Sequence, residues 1–127
     1  MSETNKNVVR RLFDAWGAHD VDAAVACIAP ECNGGGPEGL RRELTGFLAA
    51  FSDVTVSVED LLGEGDLVAS RIIVRGTHAG TFLGIPATGR PMTMKANHIF
   101  HCAGGRIAQR YGQTDRLELM TQLGAKP

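Results

Sequence analysis

A chain of 127 residues, 43 % hydrophobic and 21 % charged, has room for one domain with one real core. Its formal net charge of −1 provides no field to gather nucleic acid or an anionic membrane surface. No run approaches the roughly 18 apolar residues of a membrane-spanning helix, and the polar start Met1–Lys6 argues against a signal peptide, so the cytoplasm is the expected compartment.

From Asn5 to about Gly17, Val8, Val9, Leu12, Phe13 and Trp16 fall at helical spacing and form one apolar stripe. Asp20 is placed to cap a second helix, in which Val21, Ala24, Val25 and Ile28 repeat that spacing until Pro30. After the turn Asn33-Gly34-Gly35-Gly36, Pro37 stands where a first helical turn tolerates proline. It opens a helix lined by Leu40, Leu44, Phe47, Leu48 and Phe51. The period then changes. Val54, Val56 and Val58 alternate with polar residues as in a half-buried strand, and Gly63–Asp66 is a hairpin turn. Strands are expected over Leu67–Thr77, over Met92–His101 and, after the turn Ala103-Gly104-Gly105, over Arg106 to about Thr114. A short helix near Leu117–Leu123 ends the pattern. Helices first and antiparallel strands after, with links too short for parallel crossovers, define an α+β class: a curved sheet with helices on one face.

Between the second and third strands lies Gly76-Thr77-His78-Ala79-Gly80-Thr81-Phe82-Leu83-Gly84-Ile85-Pro86-Ala87-Thr88-Gly89-Arg90. Its glycines and proline turn the backbone repeatedly, while Phe82, Leu83 and Ile85 need burial, so it is expected to be a packed connection. This block, together with Ala50-Phe51-Ser52-Asp53, Gly105-Arg106-Ile107, Asp115 and the tail Gln122-Leu123-Gly124, resembles the SnoaL-like polyketide cyclase family of the NTF2-like (ketosteroid-isomerase-like) superfamily. The resemblance spans nearly the whole chain and implies one SnoaL-like domain over 1–127, a cone enclosing a pocket. It also implies cofactor-independent acid–base chemistry, cyclisation or isomerisation of a hydrophobic aromatic or polyketide-derived molecule in secondary metabolism.

In that family an inward His on the third long strand and an Asp on the last strand move protons. The His falls on His98. The Asp falls on Gly112, and the Glu-x-Trp pair of many relatives falls on Gln109 and Tyr111. Glycine moves no proton, so either another group acts or the chemistry differs: hydroxylation, epoxide opening and non-catalytic small-molecule binding are the alternatives. Asp115 is the nearest carboxylate, either catalytic or an N-cap of the last helix.

Among the residues themselves, His98 shares strand parity with Met92, Met94 and Phe100 and so points inward, as a neutral general base or as a core histidine. Gln109 and Tyr111 share parity with Ile107, which turns both toward the pocket and Arg110 away unless a bulge breaks the alternation. Trp16 offers a flat ring to a polycyclic ligand or simply packs. His78 is expected to fix its loop. No metal is expected, because His98 and His101, three apart, leave a strand on opposite faces and Cys27, Cys32 and Cys102 lack ligand spacing. No Gly-x-Ser-x-Gly occurs, and Gly34-Gly35-Gly36 lacks the residues of a phosphate loop. The expected partner is a hydrophobic small molecule, not nucleic acid or membrane. The resemblance adds a homodimer or homotetramer through the exposed sheet face, with Arg71 and Arg75 on it.

Overall fold

The stripe of Val8, Val9, Leu12 and Phe13 is buried along one side of α1 (Ser2–Gly17), which lies against the concave face of a sheet. The computed structural model describes residues 2–124. After α1 come α2 (Val21–Val25) and α3 (Gly36–Ala50). The strands follow as β1 (Thr55–Glu64), β2 (Leu67–Thr77), β3 (Pro91–Ala103) and β4 (Arg106–Thr114), and then α4 (Arg116–Gln122). The strands form one antiparallel meander in the order β1-β2-β3-β4. The α+β architecture expected from the order of the elements is the one observed.

Three departures from the sequence pattern have local causes. Helix α2 stops at Val25, short of the predicted Pro30. Cys27–Ala29 instead joins the sheet edge: Ile107 N–H donates to Cys27 O (2.8 Å) and Ala29 N–H donates to Ile107 O (2.9 Å). Strand β1 runs past Val58 to Glu64 through a bulge at Glu59, since Val58 pairs with Ile72 but Asp60 with Arg71. A second bulge lies in β4, where His101 pairs with Gln109 but Cys102 with Ile107, leaving Ala108 unpaired.

The inner face of the sheet carries Val68, Ile72, Val74, Met92, Met94, Ala96, Phe100 and Ile107, all buried beneath the helices. The connection from β2 to β3 is packed through His78 and Phe82 as expected, but Leu83, expected to be buried, is 49 % exposed. His78 is fully buried with Nδ1 2.9 Å from Thr88 Oγ1, and Phe82 packs edge-on against Phe47 and Phe51. Its tip is a two-residue hairpin in which Leu83 (φ 49°) and Gly84 (φ 77°) both adopt left-handed backbone, the geometry that matches the twist of paired strands. At the other end, Gln122 binds the backbone of Thr93 twice. Thr93 N–H donates to Gln122 Oε1 (2.6 Å) and Gln122 Nε2 donates to Thr93 O (2.9 Å), which fastens α4 over the open end of the sheet.

Candidate active site

Between α1, α3, the 81–83 hairpin, the inner face of β3 and β4, and α4 lies a cavity of about 650 Å³, the size of a site for a drug-sized ligand. One wall is aromatic. Phe13 touches His98 and Phe100 at centroid separations of 5.6 and 5.8 Å, and Trp16 meets Phe47 edge-on at 5.4 Å. Leu12, Leu40, Leu44, Met94 and Leu119 complete an apolar lining that favours flat, hydrophobic molecules.

His98 stands on that wall. Its ring stacks on Phe100 (5.4 Å, 12° between planes), and Nδ1 is buried with no hydrogen-bond partner. Burial, and then the nearby positive charge of Arg110, lower its pKa to about 4, so the imidazole is neutral at pH 7. With Nδ1 sealed in the wall, Nε2 is the nitrogen left to meet a ligand. Across β2–β3 its partner is Ser70, whose buried Oγ is also without a partner. Across β3–β4 its partner is Gly112.

The bulge at Ala108 changes what β4 offers. It shifts the alternation by one residue beyond Ile107, so that Arg110, Gly112 and Thr114 line the cavity. Gln109 and Tyr111, expected in the pocket from their parity with Ile107, are corrected to the outer face, where Tyr111 is 54 % exposed. A signal for this was present: Ile107 and Gly112 are five residues apart, so both can face inward only if an extra residue lies between them. Asp115 is likewise outside the cavity lining. Its carboxylate accepts the Glu118 N–H at 3.0 Å as the N-cap of α4, the capping alternative of the two that the sequence left open. Trp16 does line the cavity, with its indole Nε1 buried and unpartnered.

Arg110 is the residue that parity missed. Its backbone is clamped by one side chain: Asn33 Nδ2 donates to Arg110 O and Arg110 N–H donates to Asn33 Oδ1, both at 2.8 Å. This makes Asn33 a mimic of the strand that the sheet edge lacks. The guanidinium lies against Gly34, where a Cβ would come within 2.9 Å of Nη2, and it pairs with Glu43 of α3. The turn Asn33–Gly36 is thus a cradle for an arginine. Among the described residues no three His, Cys, Asp or Glu side chains converge as metal ligands would.

A cone with an aromatic hollow and one neutral imidazole has counterparts among known proteins. The family model of SnoaL-like polyketide cyclases matches residues 6–123. The chain belongs to the SnoaL-like polyketide cyclase family. Within it, the aklanonic acid methyl ester cyclase AcmA of Streptomyces galilaeus is 31 % identical, over 91 % of this chain and 88 % of AcmA. The enzyme of the same name from Streptomyces peucetius, DnrD, is 29 % identical over 95 % of this chain and 91 % of its own. The structure of TsrD from Streptomyces laurentii superposes with a TM-score of 0.90 at 28 % identity, covering 98 % of this chain and 97 % of TsrD. The family and the enzyme class expected from the glycine block and the tail are therefore those found. No described helix is long and apolar enough to cross a membrane.

Proposed function

We propose that this SnoaL-like cyclase closes a ring in an aromatic polyketide by intramolecular aldol-type addition, with His98 as the group that moves the proton. The observation that carries the reading is the neutral imidazole of His98 on the wall of an aromatic cavity, Nδ1 turned in and Nε2 left to the ligand. Nε2 takes a proton from a carbon flanked by carbonyl groups. The resulting enolate carbon attacks a carbonyl carbon of the same molecule, one C–C bond forms, and the imidazolium returns its proton to the new alkoxide. Substrate and product are isomers. With glycine at 112 no strand carboxylate shares the work, so the imidazole acts as both base and acid. The cytoplasm remains the proposed compartment.

The test is turnover of aklanonic acid methyl ester, for which the relatives are named, and of related anthraquinones bearing a β-dicarbonyl side chain. A product of unchanged mass with no oxygen taken from labelled water or dioxygen is expected, and His98→Ala should slow its formation by about 10²–10⁴-fold. Labelled oxygen in the product would replace this reading with hydration or hydroxylation. Tight binding with no turnover above background would replace it with a carrier role.

The outer face of the sheet supports a homodimer. Leu62, Ala69, Ile99 and Tyr111 stand side by side in register across all four strands, and Leu62 (69 %) and Ile99 (50 %) are widely exposed. Arg71, expected on that surface, is there but paired with Asp60 at 2.7 Å, in the row beside the apolar one. Ile99→Glu should convert a dimer to monomer by sedimentation. A wild-type chain that sediments as a monomer would remove the proposal.

A further inference from the structure

Two residues that line the cavity are poor choices for the fold. Gly46 sits inside α3, where glycine is the weakest helix former apart from proline. Its φ is not positive, and a Cβ built on it would meet nothing within 4 Å. Neither the backbone nor a close neighbour therefore calls for a glycine there. Leu83 is the opposite case. Its φ of 49° lies in the left-handed region, which Gly and Asn visit readily and a bulky side chain enters at a cost. The side chain is 49 % exposed, so burial returns little of that cost.

Phe47 and Phe82, the chain neighbours of these two residues, meet edge-on with centroids 5.7 Å apart, which puts Gly46 and Leu83 on the same stretch of rim. From there a strip of aromatic rings runs back to the base. Phe82 touches Phe47, Phe47 touches Trp16, Trp16 touches Phe13 and Phe13 touches His98, in steps of 5.4–6.5 Å. A flat fused-ring molecule laid on this strip, its reacting carbon at His98, points its far end at Gly46 and Leu83.

We infer that Gly46 and Leu83 form a lip that selects polyketides whose non-reacting end carries an uncharged alkyl group, seated on Leu83 in the space that Gly46 leaves open. The inference rests on the reading of this cavity as the site of an aromatic polyketide and adds the feature of that molecule it selects. Residues that break a local rule of the fold with no structural return are expected where a ligand binds. An alkyl group covers the exposed leucine and leaves no polar group unpaired, whereas a charged group would lose its water against Phe47, Phe82 and Leu83. Contact so far from the reacting carbon holds the ring system in register with His98.

The test is binding of a homologous series, anthraquinone and its 2-methyl, 2-ethyl and 2-pentyl derivatives. It is read by the fluorescence of Trp16, the one tryptophan of the chain and part of the cavity wall. In the wild-type protein affinity should rise about two- to fourfold per added methylene. Leu83→Asn, which suits left-handed backbone better, should melt no lower than the wild type, bind the parent within about threefold and flatten the series. Leu83→Met should keep the rise. Gly46→Leu should melt about 2–4 °C higher, as a better helix former, and bind the parent as before while losing the gain for the pentyl compound. A purely structural role for either residue predicts lower melting temperatures and an unchanged series. A flat wild-type series, a series as steep in both variants as in the wild type, no binding by any member, or variants that lose the parent along with its derivatives would each overturn the inference. So would a Leu83→Asn chain that changes its sedimentation and not its series, since the leucine would then be a subunit contact. His98→Ala separates the lip from the cyclase reading: turnover should fall while the rise along the series stays.

Discussion

The imidazole of His98 occupies the space that a side chain on Gly112 would need. A Cβ built on Gly112 would come within 2.7 Å of His98 Cδ2 and 2.9 Å of Nε2, distances that real Cβ atoms essentially never show. The two residues are a cross-strand pair, so the missing side chain of one is the room for the ring of the other. The absence of a side chain at Gly112 is therefore linked to the pose of the His98 ring.

Gly112→Ala should accordingly push the ring off its stack with Phe100, at a cost of about 1–3 kcal/mol for overpacking. Gly112→Asp should not rescue activity by restoring a family carboxylate. It should lower kcat, because the imidazole loses its place before any second proton carrier is gained. Turnover assays beside thermal melts check both, and a Gly112→Asp enzyme faster than the wild type would show that the two groups fit together after all.

The pKa of His98 sets a pH signature for stability. Its folded value, about 4, lies below the roughly 6.5 of a free histidine, so between those values the unfolded chain binds the proton and the folded one does not. Above pH 6.5 the group is neutral in both states and contributes nothing. As the pH falls from 6.5 to 4, stability should be lost, on the order of 3 kcal/mol by the lower end, and below that this contribution levels off. Urea melts from pH 7 to 4 should show the slope, and His98→Phe should lack that share of it. Identical slopes for the two proteins would mean that the ring titrates normally.

How much of this was legible in the sequence follows from which forces decide each feature. The stripe of α1 and the alternation of β2 and β3 are set by burial alone, and burial leaves its period in the residues. The inward face of His98 was legible because β3 pairs with β2 over eleven residues, Pro91 to His101, without a bulge. Strict parity turned Arg110 outward because one unpaired residue, Ala108, inverts the face of everything after it, and the spacing of Ile107 and Gly112 hints at an extra residue without saying where it lies. Residues Cys27–Ala29 misled for a similar reason, since their apolar spacing suits a helix but their backbone groups bond to Ile107.

Asp115 separates two roles that the sequence left open. As the N-cap of α4, it accepts the Glu118 N–H at 3.0 Å, and its side chain is exposed. Asp115→Ala should cost about 1 kcal/mol of stability, and Asp115→Asn, which still caps, should cost much less. Both should keep kcat within about threefold of wild type, below the tenfold or more that loss of a proton carrier brings. A deep fall in kcat for Asp115→Asn at unchanged stability would return the residue to the catalytic list.

Ser70 tests whether the other side of His98 matters. Its hydroxyl is buried on the inner face of β2, directly across from His98, and both Oγ and Nδ1 lack partners. A buried hydroxyl with nothing to bind destabilises by about 1–3 kcal/mol, so Ser70→Ala should leave the melting temperature unchanged or raise it. If a small rotation during turnover lets Oγ accept the Nδ1 proton, the hydroxyl fixes the tautomer in which Nε2 carries the lone pair, and a growing imidazolium is stabilised. Ser70→Ala should then lower kcat about tenfold while KM holds, and Ser70→Thr, which keeps the hydroxyl, should recover part of it. Ring nitrogen shifts from NMR would report the tautomer in each protein. A Ser70→Ala enzyme with wild-type kcat and the same tautomer would reduce the pairing to a coincidence of strand register.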